Sequence, residues 1–337
     1  MAYIAGVGQC VPSHVVTNAE LSTYMETSDE WIQQRSGIKE RRWARRGNES
    51  VGEMGNSDMA ERAARSALTQ ARLTANDIDA IVYATMSPDN EFPGSGTLLA
   101  QALCPDRAIP VFEVCNHCTG FLYGLSVARA YIDSGAYRTV LLIGSELLST
   151  GLMLSNEGRA TAVLFGDGCG AAIVRSSEDP ARSILSLDLV SDGAYADKLG
   201  VLAPSFARPA PIEVSDFEGE APAAAPRMDG PFIFKMASLK MPEIILSALT
   251  RHGLSAADLD IIVPHQANQR ILDMLGQALG CPEKVLSTIS RYGNTTAATI
   301  PVALSEAVAA GKISKGKLVC LVSFGAGVSW GAALIKW

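Results

Sequence analysis

The 337-residue chain is short of charge, with 19% Asp, Glu, Lys and Arg, and it has neither a Gly-X-Y period nor sustained heptads. These absences exclude disordered, collagen-like and coiled-coil classes. A basic excess is missing too. Against 35 Asp and Glu stand 28 Lys and Arg, a net charge of −7, so no global positive field exists to hold nucleic acid or an anionic bilayer. The longest basic cluster, Arg41, Arg42, Arg45 and Arg46, is broken by Trp43 and Ala44 and flanked by Glu40 and Glu49; it reads as a solvated face. No apolar run approaches the ~20 residues of a membrane span. The opening MAYIAGVGQCV carries no charged leader. The expectation is a cytoplasmic protein with no nucleic-acid and no membrane partner.

What is present is a large apolar fraction, 48%, in a length that holds about two domains of ~150 residues. Seven cysteines, an odd number, are scattered at 10, 104, 115, 118, 169, 281 and 320. Most read as buried thiols rather than disulfide partners. Residues 73–82, LTANDIDAIV, match residues 254–263, LSAADLDIIV, in pattern. In each, a Thr or Ser caps a short turn, with Asp in the third helical position, before a β-branched run enters the core. A second echo links residues 165–174 to residues 324–335, each read as a Gly-rich turn between two apolar strands. Upstream of these, small-residue helices (120–135 and 297–311) lead into continuous apolar strands (139–144 and 318–323). Helices alternating with buried strands imply α/β layers in a duplicated chain, with halves at about 1–175 and 176–337. Residues 203–227, rich in Pro and Ala, read as a long surface loop inserted in the second half.

Cys118 follows the apolar segment 109–114 and opens a helix running to Ile132. The unpaired N–H groups at a helix start favour thiolate over thiol, so Cys118 is a candidate nucleophile, although a cysteine there is commonly structural. In the second half an apolar strand, 261–264, ends in His265-Gln266-Ala267-Asn268, one of only four histidines in the chain. A hydrogen-bonded structural His is the alternative there. Asn294 stands at the mouth of another small-residue helix, as a site residue or an N-cap. Cys115-x-x-Cys118 with His117 has spacing for metal or dithiol chemistry, but no second CxxC or His pair completes a zinc site.

Taken in order, Thr27-Ser28-Asp29-Glu30-Trp31-Ile32, Arg35-Ser36-Gly37-Ile38, Cys118-Thr119-Gly120-Phe121, Phe165-Gly166-Asp167-Gly168, His265-Gln266-Ala267-Asn268, Gly293-Asn294-Thr295 and Trp330-Gly331 resemble β-ketoacyl-acyl-carrier-protein synthase III. That enzyme is the initiating condensing enzyme of fatty acid synthesis, within the thiolase superfamily. The resemblance covers nearly the whole chain and implies a thiolase-like, duplicated, five-layered α/β/α/β/α fold. It implies a catalytic triad of Cys118, His265 and Asn294, and backbone oxyanion donors at Cys118 and Ala326. The reaction implied is decarboxylative condensation of an acyl-CoA starter with malonyl-acyl-carrier protein, without metal or resident cofactor.

The same resemblance places Thr27, Trp31, Arg35, Arg159 and Asn268 at the CoA, and Phe92 as a gate to the partner subunit's acyl pocket in a homodimer. Lys235, Lys240 and Arg270 become the carrier-protein docking patch. Ser323-Phe324-Gly325-Ala326-Gly327 has no second cysteine of the thiolase type, and Asn294 stands where elongating synthases carry a second His. The chain departs from the family at Cys115-Asn116-His117, usually small residues, at Thr119 for Ala, at Ala326 and in the length of the 203–227 loop. Those departures leave a specialised homologue of secondary metabolism or biotin synthesis, with an unusual acyl group, as the second reading.

Overall fold

The computed structural model describes residues 1–44, 54–200 and 227–337. The sequence repeat is also a repeat of hydrogen bonds. The Thr74 N–H donates to the Asp77 carboxylate at 2.8 Å, and the Ser255 N–H donates to Asp258 at 2.8 Å, each closing one 3-10 turn. Two residues on, Asp79 accepts the Thr139 N–H at 2.9 Å and Asp260 accepts the Leu318 N–H at 2.8 Å. In both halves the same acid therefore pins the start of the next core strand.

β1 (Ala2–Cys10) is followed by a small antiparallel ribbon, β2 (Val15–Thr17) and β3 (Glu40–Arg42), whose connection holds α1 (Asn18–Leu21) and α2 (Asp29–Ser36). β4 (Ala80–Ala84), β5 (Val111–Val114), β6 (Thr139–Glu146) and β7 (Gly168–Ser176) join β1 in a five-stranded sheet of order β1-β7-β6-β4-β5. The chain then crosses into β8 (Ser183–Ser191); β9 (Leu199–Gly200) pairs with β10 (Arg227–Met228). β11 (Ile261–Pro264), β12 (Leu318–Gly325) and β13 (Ser329–Lys336) complete a second sheet of order β11-β12-β13-β8. Strand directions match between sheets: β4 with β6 and β11 with β12 are parallel, and the following pairs antiparallel. The counterpart of β5 is reduced to one parallel bridge, Ile262 to Val285.

α3 (Asn56–Ala71) and α4 (Ser95–Leu103) cover the outer face of the first sheet. α5 (Gly120–Asp133) packs against strands of both sheets, as does α10 (Thr299–Ala309). α7 (Gly230–Arg251) and α8 (Gln269–Leu279) form the other outer layer, while α6 (Arg159–Ala162) and α9 (Ile289–Tyr292) are single turns beside the central layer. The result is the expected five-layered α/β/α/β/α fold. Its middle core joins Phe121, Leu122 and Leu125 of α5 with Ile300 and Leu304 of α10 and with Val82, Leu142, Val263 and Leu321 from the two sheets.

Several expectations change. Arg41 is not on a solvated face: it is fully buried, donating through Nη1 to Asn18 Oδ1 at 2.8 Å and through Nη2 to the Val163 carbonyl at 2.7 Å. Alternation along β3 turns it inward while Glu40 and Arg42 pair outside at 2.9 Å, and burial brings its guanidinium down to about 10. Arg45 and Arg46 lie outside the described residues, as does the 203–227 loop apart from Arg227. The Gly-rich turn at Phe165–Gly168 is preceded by α6, not by a strand, so only the second copy is a tight hairpin. All seven cysteines are free, and Cys104, Cys169, Cys281 and Cys320 are buried.

Candidate active site

Three turns meet at Cys118. The first is its own: residues His117–Thr119 form a 3-10 turn between β5 and α5, with His117 at φ +49°. The flanking side chains close it, since Asn116 Nδ2 donates to Thr119 Oγ1 at 2.9 Å and the Thr119 hydroxyl donates to the Asn116 carbonyl at 2.9 Å. The departures at 116 and 119 are thus one paired clamp.

The second turn joins β12 to β13. The Ser323 hydroxyl donates to the Cys118 carbonyl at 2.7 Å, and a Cβ on Gly325 would lie 2.8 Å from Cys118 Cβ. The missing side chain at 325 is what lets the end of β12 approach Cys118 this closely.

The third turn runs from Asn294 to Ala298 and packs on the Cys118 turn. A Cβ on Gly144 would come within 2.5 Å of the Ala297 carbonyl oxygen, so this approach also depends on a missing side chain. Asn294 is fixed by backbone pairing with Leu164 (2.8 Å) and Gly166 (3.1 Å). Its Oδ1 accepts the Thr296 N–H at 2.8 Å, which leaves the Nδ2 hydrogens for a ligand. The cap reading of Asn294 is corrected: Thr295 opens the following 3-10 turn, with no side-chain cap, and the Asn294 oxygen closes only a local turn onto Thr296.

His265 directly follows β11, its N–H donating to the Val322 carbonyl at 2.8 Å, and is 2% exposed. Its Nδ1 lies 2.7 Å from Thr299 Oγ1. Burial lowers its pKa to about 3, so the imidazole is neutral. Gln266 is saturated: its amide donates to Pro264 O (2.8 Å) and Leu286 O (3.2 Å) and accepts from Thr288 N (2.8 Å) and Ile289 N (3.1 Å), stapling the strand end that carries His265.

The expected thiolate at Cys118 is corrected. Burial, with the nearby Glu146 charge, pushes the thiol up to about 12, and α5 begins only at Gly120. The helix end does not offset that desolvation, and Cys118 rests as a thiol. Cys115 is exposed, and among the described residues no three His, Cys, Asp or Glu are grouped to hold a metal ion.

A second cluster lies around Trp31. Ser28 Oγ caps α2 by accepting the Trp31 N–H at 3.1 Å, and Gly37, at φ +79°, ends it against Gln269 of α8. Asn268 Nδ2 then donates to the Arg35 carbonyl at 2.6 Å. The Arg35 and Arg159 guanidinium carbons lie 4.1 and 5.2 Å from the Trp31 ring centroid. Arg159 Nη1 donates to the Glu26 carbonyl at 2.7 Å, while Thr27 Oγ1 is buried without a partner. All five residues expected at the CoA therefore fall in one neighbourhood.

Phe92 is 87% exposed. Lys235 and Arg270 are exposed, Arg270 lying 5.0 Å from the Phe234 ring centroid. Lys240 is bound instead to Glu243 at 2.8 Å and lies against Trp330.

Residues 112–193 match the profile of 3-oxoacyl-[acyl-carrier-protein] synthase III, and residues 249–337 match that of its C-terminal part. β-Ketoacyl-[acyl-carrier-protein] synthase III of Symbiobacterium thermophilum is 42% identical over 335 residues, covering 99% of this chain and 97% of that one. The chain belongs to the β-ketoacyl-acyl-carrier-protein synthase III family. As a member of it, the protein is an acyl-transferring condensing enzyme of the type that initiates fatty acid synthesis. The crystal structure of 3-oxoacyl-[acyl-carrier-protein] synthase III from Aquifex aeolicus is similar over 100% of both chains, with a TM-score of 0.88 at 36% identity. A priming β-ketosynthase of the R1128 polyketide pathway is also similar, with a TM-score of 0.86 at 31% identity over 99% of this chain and 96% of that one.

For this synthase III, sequence reasoning passed over Glu146, Asp167, Thr299 and the burial of Arg41. Asp167 binds three backbone N–H groups, Ala44 at 2.7 Å, Leu148 at 2.8 Å and Ser149 at 2.9 Å. A lone acid at the end of an apolar strand is the one signal that marks Glu146. Nothing in the sequence links Thr299 to His265.

Proposed function

We propose that the enzyme condenses an acyl-CoA starter with malonyl-acyl-carrier protein through an acyl-Cys118 intermediate. The observation that carries this reading is the convergence of the Ser323–Ala326 and Asn294–Ala298 turns on Cys118. In the first half-reaction the Cys118 sulfur attacks the acyl carbonyl, the carbon–sulfur bond to CoA breaks, and the thiol proton ends on the CoA thiol. One thioester replaces another, so the step is close to balanced. The Cys118 and Ala326 N–H groups address the oxyanion. In the second, malonyl thioester loses carbon dioxide, and its enolate oxygen takes hydrogen bonds from His265 and Asn294 Nδ2. The carbon then attacks acyl-Cys118, the carbon–sulfur bond to Cys118 breaks, and the departing thiolate takes up a proton from solvent to restore the thiol. None of these steps draws on a metal or a resident cofactor.

Trp31, Arg35, Arg159, Thr27 and Asn268 hold the CoA nucleotide; support comes from their clustering and from the orphaned Thr27 hydroxyl, an acceptor and donor awaiting a partner. Arg270 and Lys235 receive the acidic carrier protein, with Lys240 contributing less because Glu243 already pairs with it. The enzyme works as a cytoplasmic homodimer in which Phe92 enters the other subunit's acyl pocket. A loop aromatic left this exposed favours that placement, as does the free edge of β5. No helix among the described residues is long and apolar enough to cross a membrane.

Intact-protein mass spectrometry with a panel of acyl-CoAs tests the reading. Cys118→Ala abolishes the acyl adduct and Cys115→Ala keeps it; an adduct on Cys115 overturns the assignment. His265→Ala and Asn294→Ala slow malonyl decarboxylation by about 2.7–4 kcal/mol of barrier, and acylation far less. The panel also addresses the specialised-homologue reading, favoured by His117 in its left-handed turn beside the nucleophile and by the R1128 likeness.

A further inference from the structure

Glu146 ends β6, is fully buried, and forms no ion pair among the described residues. Its carboxylate spans two segments. Oε2 accepts the Ser87 hydroxyl at 2.6 Å, the Met86 N–H at 3.2 Å and the Thr85 hydroxyl at 3.3 Å. Oε1 accepts the Ala297 N–H at 3.4 Å. From Ser87 the chain continues into the loop that presents Phe92. Ala297 lies in the turn that orients Asn294 through Thr296 and carries Thr299, the partner of His265. We propose that Glu146 is a positioning residue of the condensation step, a bracket holding the Phe92 loop and the Asn294–Thr299 turn in one arrangement. This rests on the acyl-Cys118 reading above.

The bracket requires both oxygens as acceptors. Adding a proton makes one oxygen a donor, and at Oε1 that donor faces the Ala297 N–H, which is held by the weaker contact. Among the described residues, the titratable groups facing Glu146 are Tyr83, Cys115, Cys118 and Cys169, all acids, and no cation offsets its burial. Burial pushes the carboxyl up to about 7, while the Ser87 and Thr296 hydroxyls and the backbone N–H groups of Met86 and Ala297 pull it down. The condensation rate is therefore expected to rise with pH through the neutral range as the bracket forms.

In Glu146→Gln the amide NH₂ must face either the Ala297 or the Met86 N–H, so the variant mimics the protonated acid. Its condensation kcat is expected to fall roughly 10-fold and to lose the acid limb, with KM for acyl-CoA changed less than about 2-fold and single-turnover Cys118 acylation not slowed, because removing the Glu146 charge lowers the Cys118 thiol pKa. Ser87→Ala removes a donor that favours the carboxylate, so it keeps the limb and moves its midpoint to higher pH. A merely structural role moves no midpoint. Retention of the limb at its original midpoint in both variants overturns the proposal, as does loss of acylation in step with condensation. Condensation surviving in Cys118→Ala overturns instead the reading on which it rests.

Discussion

At the residue scale, Gly325 shows how little room surrounds Cys118. A methyl group there meets Cys118 Cβ at 2.8 Å and its backbone N at 3.3 Å, neither of them the far end of a flexible side chain. Gly325→Ala is expected to cost about 1–3 kcal/mol of stability and to slow Cys118 acylation at least ~10-fold through a misplacement of under an ångström; denaturant unfolding and single-turnover acylation measure the two effects. Glu146 gives a separate test in stability. Its carboxyl is raised from 4.5 to about 7, so between these values the folded protein holds a proton that the unfolded chain has released. Stability therefore falls as pH rises through that window, by on the order of 3 kcal/mol, and is flat with respect to this group on either side. Asp167, also raised by burial, adds a slope of the same sign. Urea titrations across pH 4.5–7 should show Glu146→Gln with a shallower decline than wild type; equal slopes would remove Glu146 as its source.

At the element scale, the two halves use the same strand pairs and spend their connections differently. β12 returns to β13 through a tight turn that faces Cys118, while the β6–β7 connection is a long excursion holding α6 and Arg159. The repeat was legible because capping Asp residues and β-branched strands follow local rules. That excursion was not: Phe165–Gly168 looks like a hairpin turn locally, and only the register of β6 against β7, with Glu146 opposite Gly168, shows where the chain rejoins the sheet. The excursion places Arg159 over Trp31 from the far side of the chain. Arg159→Ala is expected to raise KM for acyl-CoA several-fold, in keeping with loss of a charge-assisted phosphate contact, and to leave malonyl-carrier-protein kinetics unchanged. Isothermal titration with CoA checks it directly, and unchanged affinity would remove Arg159 from the site.

At the scale of the whole molecule, the first sheet ends in β5, a short edge strand, and the neighbouring loop exposes Phe92. Short edges limit unwanted pairing but still leave N–H and C=O groups for one partner. Sedimentation at micromolar concentration is expected to show a dimer. Phe92→Ala should keep that dimer and broaden the range of acyl-CoAs accepted; a fully active monomer would refute the arrangement.

The sequence by itself determined the layered α/β class, the duplication, the capping turns and the three residue types Cys, His and Asn at their strand and helix ends, because periodicity and cap chemistry act over a few neighbouring residues. Tertiary structure alone decided the electrostatics of the site. Whether Cys118 is thiol or thiolate depends on the burial that two sheets impose and on Glu146 from another strand, which outweigh a helix end. Whether Arg41 faces water depends on Asn18 and the Val163 carbonyl, 122 residues away from it. Desolvation is a property of everything packed around a group, so no local pattern can encode it.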